Sequence, residues 1–153
     1  MQWIESLFSS NLNGILADDM GLGKTLQTIG FLGRLSERSK KAYLIIVPLS
    51  LVLNWKNEFE AFAPSFKVQL LLGDQARRRV LIQEMRIAPF DVLVTTYEMA
   101  NRELEFLSSM KWDYLVIDEA HRLKNRESLL HRNLLKLDCT HKLLLTGMVF
   151  EAN

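Results

Sequence analysis

Apolar runs of strand length recur along the chain, separated by longer stretches in which apolar and polar positions mix at helical spacing. The runs are ILAD (15–18), AYLIIVP (42–48), KVQLLLG (67–73), DVLVTT (91–96), DYLVID (113–118) and HKLLLTG (141–147). Most are continuous rather than alternating, which marks strands covered on both faces, as in a parallel sheet. Segments 25–35, 51–62, 76–85 and 127–137 read as helices, and the first places Leu26, Ile29, Leu32 and Gly33 on one side. Strands alternating with helices predict an α/β fold: a mostly parallel central sheet of about six to seven strands with helices on both faces, a three-layer arrangement.

Composition narrows the class. A chain of 153 residues suits one domain spanning 1–153, and 48% hydrophobic with 24% charged residues excludes disorder over most of its length. Three prolines and seven glycines leave no room for a long linker. The formal net charge is +1, so any nucleic-acid contact must come from a local patch. The densest basic run, Arg77, Arg78 and Arg79, reads as a solvated helix start, with phosphate contact as the alternative. Cys139 is the single cysteine, which excludes an intramolecular disulfide and fits a reducing, cytoplasmic-type compartment. His131 and His141 have no partners at metal-ligand spacing. The longest apolar run, 43–53, is broken by Pro48 and Ser50 and falls short of the roughly 18–20 residues that span a bilayer, so no membrane partner is expected. MQWIESLFSS lacks the basic head and apolar stretch of a signal peptide.

Two segments carry candidate chemistry. After the first strand come Asp18, Asp19, Met20, Gly21, Leu22, Gly23, Lys24 and Thr25, and then a helix. Gly21 and Gly23 permit close backbone approach to a ligand. A helix N-terminus with free N–H groups attracts anions, Lys24 can reach β and γ phosphates, and Thr25 can offer a hydroxyl to Mg²⁺. The general G-x-x-x-x-G-K-[ST] pattern fails at its first position, where Asp18 stands, so a tight turn with an exposed lysine is the plain alternative. The second segment is an apolar strand that ends in Asp118 and Glu119, followed by Ala120 and His121. Ligands of parallel sheets bind beyond the carboxyl ends of strands, where both segments arrive. Asp118 can hold Mg²⁺ and its waters, Glu119 can orient or deprotonate an attacking water, and His121 can report the nucleotide state to a neighbouring strand end. Alone, the two acids could simply cap a helix; together with the glycine loop they divide the work of binding phosphate, metal and water.

With these residues in view, the chain resembles the Swi/Snf-type chromatin-remodelling ATPases of the helicase-like superfamily 2. The resemblance runs in order through ADDMGLGKTLQTI (17–29), IVPLSLVLNWKNEF (46–59), VLVTTYE (92–98), VIDEAHRLKN (116–125) and LLLTG (143–147), and covers nearly the whole chain. It implies the first of two RecA-like lobes of the P-loop NTPase type, with ATP in the cleft between lobes and double-stranded DNA or a nucleosome as partner. It implies ATP and Mg²⁺ as cofactors and a nuclear location. By resemblance Asp19, Met20, Gly21, Leu22, Gly23, Lys24, Thr25 and Gln27 bind the nucleotide, Thr25 and Asp118 serve the metal, and Lys24, Asp118 and Glu119 are catalytic. Pro48, Ser50, Thr95 and Thr96 match motifs that touch DNA strands, and His121, Thr146 and Gly147 match elements coupling the lobes. Hydroxyl and backbone contacts to phosphates carry no sequence information, which suits a translocase. Trp55 offers a face for base stacking, but its amphipathic setting assigns it to the core.

The match departs from the family at three places. Asp19 stands for the usual Glu. After Thr146 and Gly147 the family continues T-P-[LI]-Q-N, whereas this sequence reads Met148, Val149, Phe150, Glu151, Ala152 and Asn153. The second lobe, whose arginine fingers contribute about 10³–10⁵ in rate, is not among these residues, so weak binding and little turnover are expected of the chain alone. Two alternatives stay open: a non-catalytic DNA- or partner-binding module made of one lobe, and a DEAH-type RNA helicase lobe, which residues 20–22 and 122–125 fit poorly.

Overall fold

The structure, a computed structural model, describes residues 14–17, 23–38, 40–120, 129–130 and 132–146. Among the described residues there are six strands: β1 (Gly14–Ala17), β2 (Ala42–Val47), β3 (Val68–Leu71), β4 (Val92–Thr96), β5 (Lys111–Ile117) and β6 (Asp138–Thr146). They form one sheet in the order β1-β6-β5-β2-β4-β3, and every pairing is parallel. All strands therefore finish at the same edge. Across that edge Ala17 pairs with Thr146, Ile117 with Ile46, and Val47 with Thr96.

The described α-helices are α1 (Lys24–Leu35), α2 (Val52–Phe62), α3 (Gln75–Ile87), α4 (Tyr97–Arg102), α5 (Leu104–Ser108) and α6 (Arg132–Leu135). Local chemistry sets several of their ends. Pro48 is extended (φ −60°, ψ 148°) and feeds a single 3-10 turn, Leu49–Leu51, that opens α2. Asp74 caps α3, its carboxylate accepting the N–H of Arg77 at 2.8 Å. The residue before it, Gly73, sits at φ 105°, where a side chain would be strained.

Because the strands are buried on both sides, alternate residues feed two cores. One face of the sheet presents Tyr43, Ile45, Val47, Val94 and Val116 to Ile29 and Leu32 of α1 and to Trp55 and Phe59 of α2. The other presents Leu44, Ile46, Leu93, Leu115 and Ile117 to Leu81 and Met85 of α3, and to residues of α4, α5 and α6. This is the expected arrangement of helices on both faces. Aromatic contacts tighten the first core, with Phe59 edge-on to Phe66 at 5.7 Å between ring centroids.

The sequence expectations need amendment at three points. The exposed side of α1 includes Leu26 at 39%, while Lys24 and Thr28 are buried beside Ile29 and Leu32, so the inward stripe is rotated from the purely apolar one. Strand β6 begins at Asp138, three residues before the apolar run, because β5 supplies a paired neighbour from Lys111 onward. Segment 97–108, which has no long periodic pattern, forms the two short helices α4 and α5. Of the helix expected over 127–137, residues 127, 128 and 131 lie outside the described residues, and Arg132–Leu135 is helical. No described helix is long and apolar enough to cross a membrane.

Candidate functional site

The amino end of α1 and the carboxyl end of β5 come together at the strand-end edge. Gly23 precedes the helix, and its carbonyl accepts the N–H of Gln27 at 2.9 Å. The N-cap residue, Gly23, has no side chain with which to cap the helix, and a helix N-terminus of this kind suits an anionic acceptor. Lys24, the first helical residue, is only 4% exposed, and Thr25 beside it is half-buried. The backbone at Lys24 is fixed from below by Thr28, whose hydroxyl donates to the Lys24 carbonyl at 2.7 Å.

Asp118 is buried (5% exposed), and both its carboxylate oxygens are held. One accepts the N–H of Glu119 at 2.8 Å and the other the indole N–H of Trp55 at 2.8 Å. Its own N–H continues the sheet by donating to the Ile46 carbonyl at 2.9 Å. Burial pushes the Asp118 carboxyl above the ordinary carboxylate range, and the Glu119 charge adds to that rise. The Trp55 and Glu119 hydrogen bonds and the Lys24 ammonium oppose it, so the charge of Lys24 is felt at Asp118. Thr25 and Asp118 offer only oxygen donors, and each carboxylate oxygen has lone-pair capacity beyond the bond it accepts. Such hard ligands fit Mg²⁺, which typically takes one or two carboxylates and completes its shell with water and phosphate oxygens.

Glu119 adopts φ 52°, and among the described residues it is the one non-glycine in the left-handed region. Such a conformation costs about 1–3 kcal/mol and persists only where the surroundings fix it. Here the surroundings include Tyr97, whose hydroxyl donates to the Asp118 carbonyl and reaches the Glu119 carbonyl at 3.0 Å. Trp55 belongs to the core on one face of the sheet and Tyr97 to the core on the other. The acid pair is thus gripped from both sides.

The remaining sequence-derived candidates divide clearly. Pro48 is buried and Ser50 exposed, both just past the end of β2. Thr95 is fully buried and its hydroxyl donates to the Leu71 carbonyl at 2.7 Å. Thr96 caps α4 by accepting the Met99 N–H at 3.2 Å. Gln27 is exposed on α1, and Thr146 is buried at the end of β6. Asp19, Met20, Gly21, Leu22, His121 and Gly147 lie outside the described residues. The basic run is not uniformly solvated: Arg78 is buried, with Glu103 at 2.7 Å and the Gly73 carbonyl at 2.7 Å, while Arg77 and Arg79 are exposed.

Two residues at this site take roles that local sequence patterns do not reveal. Tyr97 carries no motif signal for its contact with the acid pair, and Trp55 reads from the sequence only as core or stacking platform. A signal exists for Trp55, since a buried indole N–H seeks an acceptor and an acidic strand end provides one.

Comparison with known proteins decides the family. The model of the SNF2-related domain matches residues 1–148. The chain belongs to the SNF2-related domain family. Among curated relatives, it is 46% identical over 154 residues to the ATP-dependent helicase brm of Drosophila melanogaster, covering 96% of this chain and 9% of that protein. It is 44% identical over 156 residues to the ISWI chromatin-remodeling complex ATPase ISW2 of Saccharomyces cerevisiae, covering all of this chain and 14% of the relative. Among solved structures, the Sulfolobus solfataricus SWI2/SNF2 ATPase core in complex with dsDNA superposes with a TM-score of 0.78 at 32% identity, over 97% of this chain and 30% of that one. This SNF2-related chain therefore spans a small part of the relatives it matches, and its sheet is the one found in a SWI2/SNF2 ATPase core.

Proposed function

We propose that this chain is the nucleotide-binding, RecA-like lobe of an ATP-dependent double-stranded DNA translocase that remodels chromatin in the nucleus. The observation that carries the reading is the meeting of Lys24, at the N-terminus of α1, with the buried Asp118 and adjoining Glu119 at one edge of a parallel sheet. The helix terminus and Lys24 neutralise phosphate oxygens, helped by backbone groups of residues 19–23. Thr25 and Asp118 would hold Mg²⁺, which supplies charge neutralisation on the phosphates when bound. Glu119 positions the attacking water and accepts its proton. Gln27 lies on the first turns of α1, near enough in sequence to contact the nucleotide.

DNA is proposed to run over the end of β2 and β4. The likeness to a SWI2/SNF2 ATPase core solved in complex with dsDNA supports this. Ser50 is the exposed hydroxyl there, and Pro48 shapes its turn. Thr95 and Thr96, whose hydroxyls are already engaged inside the fold, support that surface from beneath. His121, Thr146 and Gly147 are proposed to relay the nucleotide state to a second lobe.

The test is calorimetry of Mg·ATP binding to the chain and to Lys24→Ala, with circular dichroism as the folding check. Binding that falls at least about tenfold in the variant is the expected outcome, equal to the loss of about 1.4 kcal/mol of a charge-assisted contact. A folded wild-type chain that fails to bind millimolar Mg·ATP would favour instead the single-lobe module that contacts DNA or a partner without turnover.

A further inference from the structure

We propose that Tyr97 is a positioning residue for the acid pair, and that it ties the geometry of Asp118 and Glu119 to the start of α4. The proposal rests on the reading of Asp118 as a metal ligand and Glu119 as the water-orienting base, and adds the group that holds both in place.

Three observations converge. The Tyr97 ring is buried in the core below the sheet, beside Ala100, Ile117 and Ala120, so the phenol cannot wander. Its hydroxyl donates to the Asp118 carbonyl, within the Asp118–Glu119 peptide unit, and lies 3.0 Å from the Glu119 carbonyl on the other side of the Glu119 Cα. That unit leads into the one described non-glycine residue with positive φ. A left-handed glutamate reverts to an ordinary helical or extended conformation unless its carbonyls are held elsewhere. Reversion would swing the Glu119 side chain and rotate the Asp118 carbonyl, while leaving the Trp55 contact to the carboxylate untouched.

Position in the chain adds the second half. Tyr97 directly follows Thr96, the residue that ends β4 and caps α4. A ligand that moved this strand end would move the phenol, and the phenol is bonded to the acid pair. The same residue thus joins the surface proposed for DNA to the residues proposed for water and metal, through one side chain rather than through a diffuse network.

The experiment uses the 153-residue chain with Tyr97→Phe, which keeps the ring and removes one oxygen. Two quantities are read: the backbone and Cβ NMR shifts of Glu119, which report the sign of φ, and the ratio of ATP affinities with Mg²⁺ and with a chelator. The expected result is loss of the positive-φ signature at Glu119 and a fall of about tenfold in the Mg²⁺-dependent gain, as is usual when a group supporting a metal ligand is removed. Unchanged Glu119 shifts overturn the proposal, and so does an unchanged Mg²⁺ ratio where the wild type shows a Mg²⁺-dependent gain. A variant that no longer folds also overturns it and assigns Tyr97 to stability alone. If the wild type itself shows no Mg²⁺-dependent gain while its Glu119 shifts respond to the substitution, the functional reading fails and the positioning geometry stands apart from it.

Discussion

One indole nitrogen sets much of the character of Asp118. Buried carboxylates need donors, and this one has two: the next amide in the chain and Trp55, 63 residues earlier. The pairing explains why a tryptophan without solvent exposure sits beside a polar site instead of deeper in the core. Hydrogen bonds to charged groups contribute about 1.5–3 kcal/mol, and removing one partner leaves the other desolvated. Trp55→Phe alone also opens space, so its effect on urea unfolding mixes packing with the lost bond. A double-mutant cycle with Asp118→Asn separates the two. We expect a coupling energy of about 1 kcal/mol or more between the sites. Additive effects would show that the indole serves only to fill the core.

At the scale of elements, the short helix α4 depends on how it begins. It has six residues, too few for helical propensity alone to sustain, and its N-terminus is closed by the Thr96 hydroxyl. Thr96→Ala should lower stability by about 1 kcal/mol, and Thr96→Ser, which keeps the acceptor, should recover most of it in urea titrations. An equal loss in both variants would point to the buried methyl instead of the cap. This element also shows where sequence patterns stop. Continuous runs such as AYLIIV and VLVTT suit strands covered on both faces, and from them follow the parallel sheet and the edge where Lys24, Asp118 and Glu119 gather. The chemistry of α4 is hidden because its phenol acts on carbonyls 21 and 22 residues away, a contact that no local spacing encodes. Thr95 and Thr96 mislead for a related reason: a hydroxyl at a strand end suits a phosphate, but it suits a neighbouring carbonyl or a helix N-terminus equally well. The buried Arg78 is masked as one of three consecutive arginines, since only the loop at Gly73 and Glu103 of a later segment distinguish it from its neighbours.

For the molecule as a whole, a single parallel sheet puts every strand end on one side, so nucleotide and DNA candidates share an edge six strands wide. Phosphoryl transfer also calls for a cation across the nucleotide from Lys24, where charge grows on the transferring phosphate. The family resemblance assigns that cation to arginine fingers of a second lobe, and the curated relatives are indeed several times longer than this chain. Supplying the second lobe in trans, or fused through a flexible linker, should raise ATP hydrolysis by about 10³–10⁵ if those fingers complete the site. If duplex DNA spans both lobes, as proposed, the gain should depend on it. Glu119→Gln in the chain should then abolish turnover and spare nucleotide binding, because it removes the proposed proton acceptor but keeps the side chain's size. A gain that survives Glu119→Gln would place the base elsewhere. No gain at all, from lobes shown to associate on DNA, would leave a module whose phosphate and DNA contacts are used for binding, with the acid pair held in its turn for structural reasons.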